Sequence, residues 1–522
     1  MTGKKVLVTE DISPDGLRIL ESSGFDVEVR PGMDRGELLN AVREVHAMVV
    51  RSATIVDEEV MSSAKNLVVV ARAGVGVDNI DVEYATRAGI MVVNAPESNI
   101  VSAAEHTMGL LISLARNIPQ AHADLKGSRW ERADWVGVEL SGKTLGILGM
   151  GRIGSLVARR AKAFDMNVAV HDPYVSPDIL QALGASAVSL EDLFSQSDAV
   201  TVHLPKNKDT LNMVDGRLLR LMKPSAFIVN VSRGGIVNEA DLYRTLVSGG
   251  LSGAALDVFA KEPMISSPLY DLPNVVVTPH LGASTSEAQI RAGNTVSEMV
   301  RLALSGESVP YAVNVESGAV DEQTKPFVHL AGRLGGLFAS LFREVPGLLK
   351  VSLTGDIGGR DSTPATRAAL TGALTVWSDI PVSVVNCMTV ADDLGLKVQS
   401  YSTTDVVHSD YTNLVTVASA DHMLSATLFG QTRQARVVSI DGHTVDIPPA
   451  DNMLIVKNDD RPGAIGKVTS VLGNAGINID NMAVNSIAGG NALMCIVTST
   501  KVPQHIVASV RDLDGIKYAL AV

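Results

Sequence analysis

Short runs of β-branched residues alternate with amphipathic stretches over the first ninety-five positions. KVLVTE (5–10), DVEVR (26–30), AMVVRS (47–52), LVVVARA (67–73) and IMVVNA (90–95) read as strands. Between them, PDGLRILESSG (14–24) and RGELLNAVREV (35–45) carry the 3.6-residue period of helices. Apolar strands separated by helices of this length predict a parallel sheet covered on both faces. VSAAEHTMGLLISLARN (101–117) predicts a longer helix, after which a second unit of the same kind begins. Its strands are expected in KTLGIL (143–148), VAVHDP (168–173), DAVTVHLP (198–205), AFIVNVS (226–232), AALDVF (254–259) and NVVVTPH (274–280). A long amphipathic run at 285–304 suits a helix that could return the chain to the first unit.

Beyond Pro310 the texture changes. Residues 316–450 hold a helical piece (330–342), a Gly-rich SLTGDIGGRD (352–361) and a strand-like ARVVSIDG (435–442), and DIPPADN (446–452) reads as a linker. From Met453 onward the order is strand, helix, strand, strand, helix, strand. That is a ferredoxin-like split βαββαβ unit with two helices on one face of an antiparallel sheet.

Composition narrows the function classes. Of 522 residues, 46% are hydrophobic and 19% charged, ample for packed cores, and 57 acids against 44 bases give −13. No Lys/Arg-rich run is present, which argues against nucleic-acid binding and attraction to anionic membranes. Two cysteines, Cys387 and Cys495, make neither a disulfide framework nor a CxxC metal site, so no metal is expected. MTGKKVLVTE lacks the apolar core of a signal peptide, and a cytoplasmic location is expected.

LGMGRIG (148–154) sets Gly149, Gly151 and Gly154 in G-x-G-x-x-G spacing between a strand and a helix opened by Arg152 and Ile153. The first Gly serves the tight turn, the second lets backbone approach a pyrophosphate, and the third lets helix pack on strand. Asp172 lies 18 residues past Gly154, where an acid hydrogen-bonds ribose hydroxyls and repels a 2′-phosphate, which favours NAD over NADP. Three more blocks fall at the carboxyl ends of predicted strands, where such sheets place ligands: NVSRGGIVNEADL (230–242), ALDVFAKEP (255–263) and VTPHLGAST (277–285). Taken singly, Arg233 also suits a strand-end cap, Glu262 a surface acid and His280 a satisfied buried histidine.

Together and in this order the four blocks resemble the D-isomer-specific 2-hydroxyacid dehydrogenase family over roughly residues 5–310. The resemblance implies a bilobal Rossmann-like α/β body built of two doubly wound parallel-sheet lobes. It implies Arg233 on the substrate carboxylate, His280 as acid/base and Glu262 hydrogen-bonded to His280. It further implies Val231, Ser232, Asp257 and Gly282 around the cofactor. In the first lobe Arg51, Arg72, Gly74, Val75, Gly76 and Asn99 match substrate-cleft positions, with Ala73–Gly76 offering backbone N–H groups. Val75 stands where many relatives carry Thr. Arg51 alone reads equally well as a surface ion-pair residue.

NDDRPGAIGKVTSVLGNAGINI (458–479) resembles an ACT regulatory domain. With an α/β intervening domain before it, the chain resembles the long, ACT-bearing branch of the family. The implied boundaries are 1–98 with 290–315 for a split substrate lobe, 99–289 for the NAD lobe, 316–450 and 452–522. The implied reaction is NAD-dependent oxidation of 3-phospho-D-glycerate to 3-phosphohydroxypyruvate by a homotetramer, at the entry to L-serine synthesis. Asp460 and Asn478 match positions that hold L-serine in serine-sensing relatives, although Asn458 and Asp460 depart from the usual pattern there. Arg433 and Arg436 suit either an anion site or a solvated loop. A hydroxypyruvate or glyoxylate reductase, a D-lactate dehydrogenase, an NAD-sensing corepressor and an amino-acid sensor are the competing readings.

Overall fold

The computed structural model describes residues 3–315, 320–405, 411–430, 432–487 and 490–522. The expected domain boundary at residue 316 and residue 431 of the Arg433 loop fall outside them. Four sheets order these residues.

In the first sheet five parallel strands run in the spatial order Asp26–Val29, Lys5–Val8, Ala47–Val50, Val69–Arg72, Met91–Val93. Ala47–Val50 is buried at every position, as a strand covered on both faces requires. The helix Ser286–Leu304 does come back to this sheet. Ala292, Val296, Met299 and Val300 pack with Val6, Val8, Ala47 and Val49. Its approach to the helix Pro14–Ser22 is so close that a Cβ on Gly16 would lie 2.9 Å from the Gly293 carbonyl oxygen.

The second sheet has seven parallel strands in the order Val275–Val277, Gly253–Leu256, Phe227–Asn230, Ala199–Val202, Thr144–Leu148, Asn167–His171, Ser186–Ala187. Strand order reverses between Thr144–Leu148 and Ala199–Val202, which is where doubly wound sheets open a ligand crevice. The helix Ile100–Ala115 buries Met108, Leu110, Leu111 and Leu114 against Leu145, Ile147 and Val229 of this sheet. The chain therefore crosses between the lobes twice, once entering this helix and once entering Ser286–Leu304.

The third sheet has six strands, with Leu348–Gly355 parallel to Lys397–Thr403 and the remaining pairs antiparallel. Two helices, Lys325–Leu341 and Thr363–Trp377, cross through small residues, and a Cβ on Gly335 would fall 1.9 Å from the Ala369 carbonyl oxygen. The linker expected at 446–452 starts late. Asp446 and Ile447 end the strand His443–Ile447, because Ile447 pairs with Val437 and is buried in the sheet's core.

The fourth sheet is antiparallel, in the order Ile479–Ile487, Asn491–Thr498, Met453–Asp459, Ile516–Ala521, with helices Ala464–Asn474 and Gln504–Arg511. Its strands alternate between two cores. Leu454, Val456, Met494 and Ile496 face their own helices. Met453, Ile455, Leu493, Cys495 and Val497 join the core of the third sheet, packed with Leu334, Val417 and Val437.

Candidate active site

The Gly-rich loop sits at the point where the second sheet reverses. Gly149 has φ +98°, a conformation that L side chains avoid, and its N–H donates to the His171 carbonyl at 3.0 Å. A Cβ on Gly154 would lie 2.3 Å from the Gly149 carbonyl oxygen, so helix and loop touch there. A Cβ on Gly151 would meet nothing within 4 Å. Gly151 caps the helix Arg152–Ala163 with no side-chain bond to its first-turn amides. Such an end favours a pyrophosphate. Asp172 accepts from Met150 N at 2.7 Å through Oδ2 and from Tyr174 N at 2.9 Å through Oδ1. Each oxygen keeps a lone pair for a ribose hydroxyl. These features fit a dinucleotide. Ile153 packs inward, and Arg152 reaches Glu97 on the lobe crossing at 3.0 Å.

The three glycines make unequal demands. Gly154→Ala is expected to lower the melting temperature, because the new methyl collides with backbone. Gly151→Ala should leave stability near that of the parent and weaken NAD binding, read by cofactor fluorescence titration beside a thermal melt.

Across the crevice His280 Nδ1 and Glu262 Oε2 are 2.6 Å apart. A carboxylate only accepts, so Nδ1 carries the proton and Nε2 is the unprotonated nitrogen of the neutral ring. The Glu262 hydrogen bond raises the His280 pKa above its ordinary value; burial and the nearby Arg233 charge oppose this. Burial works against the charge of Glu262, but His280 and the Phe259 N–H, 2.9 Å from Oε1, outweigh it and lower that carboxyl. His280 has φ +56°, and its N–H donates to the Asp257 carbonyl at 2.8 Å.

Arg233 follows the strand Phe227–Asn230. Its loop is held by Asn230, whose Oδ1 accepts from Ser232 N and Oγ and whose Nδ2 donates to the Arg233 carbonyl at 3.1 Å. The guanidinium reaches over the cleft, where a Cβ on Gly76 would lie 2.9 Å from Nη2. On the opposite wall Arg72 donates through Nε to Asn79 Oδ1 at 2.9 Å. Burial lowers the Arg72 pKa, and the like charges of Arg233 and Arg51 lower it further against the pull of Asp78 and Glu10. The Gly74–Gly76 loop meets two of these guanidiniums, since a Cβ on Gly74 would lie 2.6 Å from Arg72 Nη1 and one on Gly76 2.9 Å from Arg233 Nη2. Arg51 Nη1 donates to the Asp11 carbonyl at 3.4 Å.

Of the expected backbone donors, two are already engaged. Ala73 N–H donates to the Val50 carbonyl and Gly74 N–H to the Arg72 carbonyl, both at 2.8 Å. Val75 and Gly76 carry the remaining amides of the loop, and Asn94 Nδ2 fixes it by donating to the Val75 carbonyl at 2.6 Å. Asn99 opens the helix Ile100–Ala115 without a side-chain cap bond. Gly282 lies against Val231, and its N–H donates to Asp257 Oδ2 at 2.8 Å. Three polar contributors carry no signal in the sequence pattern: Asn79, Asp78 and His106, the last within 3.3 Å of Asp257.

In the fourth sheet's unit the expected effector residues lie apart within one chain. Asp460 borders a cleft of about 390 Å³ lined also by Asn458, Arg461 and Gly463. Asn478 instead donates to Asp480 Oδ1 at 2.8 Å and to Ser499 Oγ at 3.1 Å. Arg433 shares a cleft with Arg360 and Asn413, while Arg436 sits 3.7 Å from Asp446.

Comparison with known proteins identifies the domains and the family. The family model described as "D-isomer specific 2-hydroxyacid dehydrogenase, NAD binding domain" matches residues 108–282. The D-3-phosphoglycerate dehydrogenase intervening domain matches 323–441 and the ACT domain 452–515. A D-3-phosphoglycerate dehydrogenase of Mycobacterium bovis is 43% identical over 490 residues, covering 93% of this chain and 92% of the relative. The chain belongs to the D-3-phosphoglycerate dehydrogenase family. Another member, from Methanocaldococcus jannaschii, is 37% identical with 98% of each chain covered. Among solved structures, D-lactate dehydrogenase from Aquifex aeolicus, complexed with NAD and lactic acid, aligns with 26% identity and a TM-score of 0.53. It covers 60% of this chain and all of its own. A second solved structure, a protein of Thermus thermophilus, aligns at 35% identity and a TM-score of 0.55, covering 59% of this chain and 99% of its own.

Like its family, the chain is an NAD-dependent dehydrogenase acting on 2-hydroxy acids and carrying an ACT domain. Among the described residues no helix is long and apolar enough to cross a membrane, and no cluster of His, Cys, Asp and Glu could hold a metal.

Proposed function

We propose that the chain oxidises 3-phospho-D-glycerate to 3-phosphohydroxypyruvate, the opening step of L-serine synthesis. The observation that supports the substrate is the placement of the Arg72 and Arg233 guanidiniums against the Gly74–Gly76 loop, with Arg51 just past the end of the adjacent strand Ala47–Val50. A single guanidinium grips a carboxylate bidentately, and a substrate with a phosphate at its other end needs further positive charge. Arg233 takes the carboxylate and the C2 oxygen, and the Val75 and Gly76 amides meet the same carboxylate. Arg72 and Arg51 face the phosphate.

Glu262 holds the His280 proton on Nδ1, so Nε2 receives the proton of the C2 hydroxyl. NAD, when bound, accepts the hydride from C2. It would be held by the loop Gly149–Gly154, Asp172, Val231, Ser232 and Gly282, with Asp257 beside the nicotinamide amide. The positive charge that builds on His280 is balanced by Glu262, and Arg233 stabilises the developing carbonyl oxygen. In reduction the same proton returns from Nε2.

NADH formation with a panel of 2-hydroxy acids, with and without a terminal phosphate, tests the substrate. Preference for 3-phospho-D-glycerate supports this reading, and preference for D-lactate or glycerate overturns it. The same reading includes a homotetramer in the cytoplasm and L-serine as effector at paired ACT domains through Asp460 and Asn478. Unchanged rate and sedimentation at millimolar L-serine would remove the effector.

A further inference from the structure

The helix Ile100–Ala115 belongs to the second sheet's core, yet one polar side chain, His106, points from it toward the acid/base loop. His106 Nε2 lies 3.0 Å from Thr278 Oγ1 and 3.3 Å from Asp257 Oδ1. Thr278 Oγ1 is 2.6 Å from the same Asp257 oxygen. The directions follow from the groups. Asp257 only accepts, so the threonine hydroxyl spends its hydrogen there. Its oxygen can then only accept from His106, which therefore carries Nε2–H. The chain of donors reads His106 Nε2–H, Thr278 Oγ1–H, Asp257 Oδ1.

Asp257 is the anchor of the loop that bears His280. Its side chain is 0% exposed. Oδ1 also accepts from Leu281 N at 2.6 Å and Oδ2 from Gly282 N at 2.8 Å, while its main-chain carbonyl accepts from His280 N. His280 itself is flanked by these bonds and held at φ +56°, a conformation costly to a non-glycine residue unless its surroundings fix it. The donors crowd Oδ1, which takes Thr278 Oγ1 and Leu281 N at 2.6 Å each, with His106 Nε2 at 3.3 Å.

Two further contacts join the same two stretches of chain. Ser102 Oγ and Thr285 Oγ1 are 2.8 Å apart, and Arg291 Nε donates to the Ser98 carbonyl at 2.9 Å. Residues 98–106 and 278–291 are the two crossings between the lobes, and His280 lies inside the second. We infer that His106 is a positioning residue: through Thr278 and Asp257 it fixes the backbone that aims His280, and it ties that aim to the segments where the chain passes between the lobes. The inference rests on His280 as acid/base.

The test is His106→Phe against His106→Gln, assayed with unlabelled and C2-deuterated 3-phospho-D-glycerate in the full-length enzyme. Phenylalanine keeps the volume and removes the donor; glutamine restores an N–H near Nε2. His106→Phe is expected to lower kcat about 10–100-fold, as a misplaced catalytic group does. KM for NAD should change far less than kcat, the deuterium effect on kcat should rise, and the acidic limb of the pH profile should move down as the Glu262 contact loosens. His106→Gln should recover most of the rate. An unchanged kcat and isotope effect in His106→Phe overturns the proposal. So does an equal loss in both variants, which would mean packing alone. If His106→Phe does not fold, Thr278→Val removes the hydroxyl between His106 and Asp257. It should reproduce the loss, and combining it with His106→Gln should add no more; additive losses count against the proposal. Failure of the underlying function would show differently, as an active parent insensitive to His280→Ala.

Discussion

His280→Ala is expected to lower the rate of 3-phospho-D-glycerate oxidation by about 10²–10⁴-fold, the usual worth of a general acid/base. NAD affinity should remain close to that of the parent, since the dinucleotide features lie on the Gly149–Gly154 loop and at Asp172. Steady-state rates and a cofactor titration on one preparation separate the two, and activity within about tenfold of the parent would remove His280 from the mechanism. Glu262→Gln sharpens the result. The Glu262 hydrogen bond holds the His280 pKa above its ordinary value, so oxidation, which needs the neutral ring, rises with pH through that raised value. Without the carboxylate the pKa falls, and the acidic limb of the oxidative profile moves to lower pH. Reduction needs the protonated ring and should lose rate near neutrality in the same variant. The stability sign agrees: a raised histidine pKa stabilises the fold below its unfolded value and loses that contribution as pH climbs through the folded one.

The second large effect is expected at Arg233. Truncating one partner of a desolvated charge pair costs about 2–5 kcal/mol, so Arg233→Ala should reduce kcat/KM by roughly 30- to 4,000-fold. Because Arg233 faces both the carboxylate and the C2 oxygen, the loss should divide between KM and kcat. Arg51→Ala should behave differently. Its loss should be largest for the phosphorylated substrate and small for an analogue without phosphate, which a matched pair of substrates measures directly. Equal losses on both substrates would place Arg51 away from the phosphate. Arg233→Lys should not rescue Arg233→Ala, because an ammonium lacks the planar fork.

The residues that a sequence reader can find are those whose job is local. Gly149, Gly151 and Gly154 announce a loop because turn, approach and helix contact all happen within one short segment. Arg233, Glu262 and His280 stand in short blocks at strand ends, so parallel-sheet topology alone gathers them on one edge. His106 and Thr278 are different. They meet across 172 positions, and nothing in SAAEHTMG distinguishes a histidine on an apolar helix from one buried for packing. Asn79, which accepts from Arg72, and Asp78, whose charge supports that guanidinium, sit in a turn whose polar residues look like ordinary turn formers. The late start of the linker has another cause. Proline and asparagine in DIPPADN point to loop, yet the ladder to Val437 carries the strand on to Ile447. The helix Thr363–Trp377 carries little signal because alanine, glycine and threonine give it weak amphipathic contrast, although those small residues are what let it cross its neighbour closely.

The two-sided burial of the fourth sheet bears on how far this chain can be taken apart. The ACT match begins at residue 452, yet water meets no seam there, because Met453, Ile455, Leu493 and Cys495 lie in a core owned jointly with the third sheet. Cutting at that point would uncover a contiguous oily face on each fragment. The third and fourth sheets should therefore melt in one transition rather than two. A displacement of the ACT unit would then carry the third sheet with it toward the first lobe, whose contacts with that sheet's unit include the Ser383 hydroxyl on the Gly89 carbonyl and, after the helix Ser286–Leu304, Glu307 held between Arg301 and Lys325.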